Sequence, residues 1–142
     1  VCPAGFWLDE HPIPDFFAMT PEDLVQALFY DPTSALAQSM MAVPSDEDAL
    51  TAMLIERVKR LAAAARILWP IPDRGLRKRI HRIAAPTLLL WGESDRLIPL
   101  VYAEEFLRRL KNAKLQTVRE AGHMLPYEQT AEFVRLTTAF LK

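Results

Sequence analysis

The strongest constraint in this chain is a pair of strand ends built alike. Thr87-Leu88-Leu89-Leu90-Trp91 runs into Gly92-Glu93-Ser94-Asp95, and Leu115-Gln116-Thr117-Val118 runs into Arg119-Glu120-Ala121-Gly122-His123. In each, an apolar strand meets a glycine and then presents an acid or a base. Between them, Pro99 opens a helical pattern whose apolar positions are Val101, Tyr102, Phe106, Leu107 and Leu110. A strand, a helix and a strand joined by short connections make a right-handed crossover with parallel strands. Parallel neighbours end at the same edge, about 4.8 Å apart, and that edge of an open sheet is where ligands bind. Asp95 and His123 are therefore expected side by side, with Gly92 and Gly122 giving the backbone the freedom for sharp turns. An aspartate beside a histidine fixes the imidazole tautomer and stabilises the imidazolium, so the histidine can act first as base and then as acid. Alone, each residue has a plainer reading: Gly-Glu-Ser-Asp is turn chemistry, and Gly-His before a helix is a loop end. The coupling of the two strand ends is what favours the acid–base pair.

The rest of the chain divides around this unit. Residues 1–8 read as the end of a strand and a loop, residues 9–82 as helical with no strand signal, and residues 83–142 as strand, helix, strand, helix. Prolines at 3, 12 and 14 forbid an early helix. Thr20-Pro21-Glu22-Asp23 is a helix start, with Thr20 as cap, and Leu24, Val25, Leu28 and Phe29 form its apolar stripe up to Asp31-Pro32. Thr33 is expected to cap a short helix through Met41. Ser45-Asp46-Glu47-Asp48 opens the longest helix, with an apolar period running from Ala49, Leu50, Met53 and Leu54 through Val58 and Leu61 to Leu68. Trp69-Pro70-Ile71-Pro72 should break it before a short basic helix at about 73–82. A final helix is expected over about 128–141, with Phe133, Val134, Leu136 and Phe140 inward.

Composition excludes several classes. With 142 residues, half of them hydrophobic and a quarter charged, the chain is globular rather than disordered. A net charge of −1 gives no general reason to bind nucleic acid or an anionic membrane. No apolar run approaches the roughly 20 residues that span a bilayer. The single cysteine fits a reducing, cytoplasmic setting. The opening Val1-Cys2-Pro3-Ala4-Gly5 has no initiator methionine and no signal-peptide pattern, so the chain is expected to begin inside a longer gene product.

Other chemistry-bearing residues offer less. His11 sits in the Pro-rich loop and His81 in the basic helix, neither with a partner at metal-ligand spacing. Arg74, Arg77, Lys78, Arg79 and Arg82 read as a solvated helix face. Met19, Met40, Met41 and Met53 read mostly as helix core, with pocket lining as the other reading. There is no Gly-rich phosphate loop, and no cofactor or metal is expected.

With these residues in place, Ala85-Pro86-Thr87 through Gly92-Glu93-Ser94-Asp95 resembles the strand that carries the triad acid of α/β-hydrolases, and Ala121-Gly122-His123 followed by Glu128 and Gln129 resembles their histidine turn. The order of acid before histidine agrees with that family. The match is specific over 83–142; over 9–82 it is positional, where the family carries its helical cap, and Thr130 stands where the family often has proline. The resemblance implies the C-terminal portion of an α/β-hydrolase fold preceded by a cap, with Asp95 and His123 as triad acid and base. The family's Gly-x-Ser-x-Gly elbow is absent. Ser34, Ser39 and Ser45 lie in helical or capping contexts, and Ser94 adjoins the acid. Cys2 is followed by Pro3, which has no N–H to offer an oxyanion. No nucleophile is therefore expected in this chain.

Three functions follow. The first is a hydrolase of a small, largely apolar substrate (an ester, lactone, epoxide, halide or diketone carbon–carbon bond), completed by a missing half. The second is a non-catalytic binding or assembly module. The third is an enzyme whose other half is a separate polypeptide. An open apolar sheet edge also predicts association with the missing half or with a second copy.

Overall fold

The structure, a computed structural model, describes residues 1–69, 71 and 75–142. Two strands, β1 (Thr87–Gly92) and β2 (Ala113–Val118), pair in parallel from Thr87 beside Ala113 to Gly92 beside Val118. Helix α4 (Val101–Arg109) makes the crossover between them. The consecutive apolar run of β1 is reflected in its burial, since Leu89, Leu90, Trp91 and Gly92 are all inside. In β2 only Val118 is fully buried.

The core forms where β1 meets α4 and the N-terminal loop. Phe6 packs on Phe106 with ring centroids 4.5 Å apart, and Trp91 donates through Nε1 to the Ile98 carbonyl at 2.8 Å. The Tyr102 hydroxyl accepts from Leu8 N–H at 3.1 Å and donates to the His11 carbonyl at 2.7 Å, fastening the loop over α4. Cys2 N–H donates to the Leu90 carbonyl at 3.1 Å, which brings the first residues alongside β1. Glu105 is a buried acid on α4. Burial pushes its carboxyl up, but hydrogen bonds and charge from Arg108 and Arg109 outweigh this and hold it below the usual carboxylate range.

Among the described residues, 9–82 contain helices and loops and no strand. Helix α1 (Pro21–Leu28) starts as its sequence demands: Thr20 Oγ1 accepts from Asp23 N–H at 3.1 Å, and Pro21 takes the first helical position. It stops at Leu28, before Asp31-Pro32, because Phe29 is pulled extended into the interior and is only 1% exposed. Helix α2 (Ala35–Met40) is capped by Ser34 rather than Thr33, whose N–H and hydroxyl are both spent on Asp31 Oδ1. Helix α3 (Glu47–Leu68) is capped by Asp46. It buries no residue; Leu54, Val58 and Leu68 are 48%, 66% and 46% exposed, and Met40 of α2 is exposed too. Its apolar period marks a helix, but its stripe is mostly uncovered.

In place of the basic helix stand two single-turn 3-10 segments, Leu76–Lys78 and Ile80–Arg82. Gly75, at φ 82°, turns the chain there, and the tight turns bury Ile80 while Arg77, Lys78 and Arg79 stay outside. The expected start of that helix at 73, the prolines Pro70 and Pro72, and Arg74 lie outside the described residues. The last helix is divided into α5 (Leu125–Glu128) and α6 (Thr130–Leu141), because Gln129 leaves helical geometry at φ −129° and ψ 54°. Phe133 and Leu136 pack on Val118, Ala121 and Leu125, whereas Val134 and Phe140 face outward. No helix among the described residues is long and apolar enough to cross a membrane.

The role of Gly92 differs from expectation. It does not need positive φ; it needs to lack a side chain. A Cβ there would stand 2.3 Å from the Gly122 carbonyl oxygen and 2.4 Å from that of Ala121. Both obstacles are backbone, so neither can swing aside. Gly92→Ala is expected to cost about 3 kcal/mol, read as a lower midpoint in urea denaturation. An unchanged midpoint would refute this packing.

Candidate active site

The two strand ends deliver their side chains to one point. Asp95 lies three residues past the end of β1, and its side chain is fully buried; the His123 side chain is 25% exposed. His123 Nδ1 lies 3.0 Å from Asp95 Oδ2. The other carboxylate oxygen, Oδ1, accepts from Leu97 N–H at 3.0 Å and Ile98 N–H at 2.8 Å. Two backbone donors thus hold the carboxylate in place and offset the cost of burying a charge. With Oδ2 as acceptor, the proton of a neutral His123 belongs on Nδ1, and Nε2 is the basic nitrogen.

The turn bearing His123 is anchored from the helical segment. Glu128 Oε1 accepts from Tyr30 N–H at 2.6 Å and Oε2 from Gly122 N–H at 2.7 Å. Met124 N–H donates to the Leu28 carbonyl at 3.1 Å. Arg96, next to the acid, donates through Nη1 to the carbonyls of Gln26 and Phe29 at 3.1 and 3.2 Å. These carbonyls belong to the C-terminal end of α1, where a cation complements the helix dipole. Gly122 permits this contact: a Cβ on it would meet Leu28 O and Tyr30 N, each at 2.8 Å. The end of α1 is therefore bonded to both loops that carry the pair.

Beside the pair opens a cavity of about 480 Å³. His123 lines it with apolar side chains from the N-terminal half, among them Ile13, Phe16, Leu24 and Leu28, and with Arg79. Among the described residues its lining contains no serine or threonine. Ser34 caps α2, Ser94 donates its N–H to the Ala121 carbonyl, and Ser39 and Ser45 are exposed. His11 and His81 are exposed and apart from the lining.

Cys2 does belong to the site. It lines the cavity, and its Sγ, a carboxylate oxygen of Asp95 and a ring nitrogen of His123 lie within 4.8 Å of one another. Its backbone is left-handed, at φ 39°. Burial pushes its thiol up to about 12, and the charge of Asp95 adds to the rise. The thiol is therefore protonated at neutral pH. Sequence reasoning found Asp95 and His123, and it weighed Cys2 only as a nucleophile. It missed Arg96, although a cation directly after the acid was a readable signal, and it noted Glu128 without its two amide partners, which come from segments 6 and 98 residues away.

The chain matches the model of the alpha/beta hydrolase family over residues 1–136. Solved structures similar to it include a thermophilic esterase, 24% identical over 97% of this chain and 52% of that one, with a TM-score of 0.66. A meta-cleavage product hydrolase from Pseudomonas fluorescens is 23% identical over 97% and 52%, with a TM-score of 0.62. At such identities these two speak for the fold alone. A membrane phospholipase A, described as a bacterial virulence factor, is 28% identical over 86% and 38%, with a TM-score of 0.57. The chain spans about half the length of the first two and less of the third. No curated protein sequence matches it.

Two outcomes are expected from this geometry. In Glu128→Gln only one side-chain oxygen remains as acceptor, so at least one of the Tyr30 and Gly122 amides should exchange with solvent about tenfold faster, as for the loss of roughly 1.4 kcal/mol. Equal protection in hydrogen-exchange NMR would show that the carboxylate is not the anchor. In the native chain, the Cys2 thiol should react with iodoacetamide at pH 8 about a hundredfold or more slowly than in urea, because the raised pKa leaves almost no thiolate. Equal rates would overturn the burial argument.

Proposed function

The chain belongs to the alpha/beta hydrolase family, and on that premise we propose that it is the part of a hydrolase that carries the triad acid, Asp95, and the triad histidine, His123. We assign residues 1–8, which form no strand here but meet β1 through Cys2 N–H, to the end of a core strand with its loop, 9–82 to the helical cap, and 83–142 to the C-terminal part of the core. The observation that carries this reading is the 3.0 Å contact between His123 Nδ1 and Asp95 Oδ2, with the carboxylate's other oxygen held by two backbone N–H groups.

The chemistry follows from that contact. Asp95 keeps the imidazole proton on Nδ1, so Nε2 takes the proton of a nucleophile or a water. The buried carboxylate then stabilises the imidazolium until the proton passes to the leaving group. The nucleophile comes from outside these 142 residues. Cys2 is a poor candidate: its thiol titrates at about 12, and the following Pro3 has no N–H for an oxyanion hole. The apolar cavity of about 480 Å³ suits a small, largely apolar substrate, such as an ester, a lactone, an epoxide or a diketone. The partner is the segment that bears the nucleophile, in the same polypeptide or another.

The 142-residue chain alone should not hydrolyse p-nitrophenyl esters above background, having no elbow nucleophile in its sequence and no oxyanion hole recognised among its described residues. Joined to the nucleophile-bearing segment, in cis or in trans, it should turn them over, and His123→Ala should lower kcat by roughly ten-thousandfold or more. Robust hydrolysis by the chain alone, or a joined enzyme indifferent to His123→Ala, would overturn the proposal.

A further inference from the structure

The proposed hydrolysis makes no use of Cys2, yet its Sγ shares a space no wider than 4.8 Å with an Asp95 oxygen and a His123 nitrogen. The three donors come from chain segments far apart in sequence, so no ligand spacing announces them. We propose that Cys2, Asp95 and His123 form a binding site for a borderline-soft divalent cation of the zinc class, and that an ion held there takes the histidine and the carboxylate out of catalysis.

The donor set decides the class. One sulfur, one imidazole nitrogen and one carboxylate oxygen suit zinc, cobalt or cadmium, whereas calcium and magnesium take oxygen ligands. Zinc–ligand bonds of about 2.0–2.3 Å put tetrahedral ligands roughly 3.4–3.7 Å apart, so donors within 4.8 Å of one another need to close by at most roughly 1.1–1.4 Å. The carboxylate is already oriented, since Leu97 and Ile98 N–H hold Oδ1 and leave the other oxygen for the ion. The charges also balance: a dication between a thiolate and a carboxylate is neutral, which suits a site where an isolated charge is costly. An ion would enter from the cavity that Cys2 and His123 both line, and water would take the fourth position. On binding, the S–H proton leaves to buffer and a sulfur–metal bond takes its place. The ion replaces the contact between His123 and Asp95, so binding and general-base catalysis exclude each other. The donor set stands whether or not the pair serves a hydrolase.

The test is a titration of the reduced 142-residue chain with Co²⁺, followed by absorption. Saturation at one ion per chain is expected, with a thiolate-to-cobalt charge-transfer band in the near ultraviolet and the strong visible bands of four-coordinate cobalt. Zn²⁺ should displace the cobalt and Mg²⁺ should not. Cys2→Ser should remove the charge-transfer band, His123→Ala should weaken binding on the order of a hundredfold, and His81→Ala should change nothing. X-ray absorption on the zinc-loaded, unsubstituted chain needs no variant to fold and should find one sulfur in the first shell. A shell of nitrogen and oxygen only, no saturable binding below millimolar Co²⁺, or binding abolished by His81→Ala would overturn the proposal.

Discussion

A carboxylate with no exposed surface must be surrounded by donors, and the site is arranged around meeting that demand for Asp95. Two backbone N–H groups from the turn that follows it take one oxygen, and His123 faces the other. Arg96, its neighbour in sequence, reaches to the end of α1. The carboxylate is thus held by the geometry of its own loop, and the histidine meets a charge already fixed. In the proposed reaction, this preorganisation would let the imidazole act as base without first reordering its partner.

The same loop geometry explains why the glycines matter. The turn bearing His123 lies against the end of β1 so closely that Gly92 has backbone carbonyls within the reach of a Cβ, and α1 lies against Gly122 in the same way. Three backbone segments are stacked with no side chain between them: the end of β1, the histidine turn and the end of α1. Glu128 and Arg96 then bond that stack together at its margins. A displacement of α1 would therefore pull on both loops. Helix α3 has no fully buried residue; Leu50, Met53 and Leu61 are half-buried.

The contrast between α1 and α3 also shows the limit of periodicity. Both have capping residues and an apolar stripe in sequence, and both form helices. The C-terminal end of α1 is hydrogen-bonded to the loops of the core. In α3 the period correctly announced a helix and wrongly implied a covered face, because period reports what the helix could bury and not what lies opposite. Gln129 is the smaller instance: nothing in the pattern of 128–141 marks the break, which arises where α5 has to turn to let Phe133 and Leu136 reach Val118.

The sequence by itself determined the parallel strand pair, the crossover helix, the helical character of the segment before them, and the meeting of Asp95 with His123. These rest on short-range signals: consecutive apolar residues, caps, prolines, and the rule that parallel strands end at one edge. Tertiary structure alone decided what surrounds the pair. It set Glu128 between the amide of its own neighbouring turn and one 98 residues away, and it used glycine for closeness where a turn seemed the reason. It also carried Cys2 to within 4.8 Å of the acid and the base. Each of these depends on how segments far apart in the chain stack on one another, and that is set by space-filling and by the satisfaction of buried polar groups, which leave no periodic trace in the order of residues.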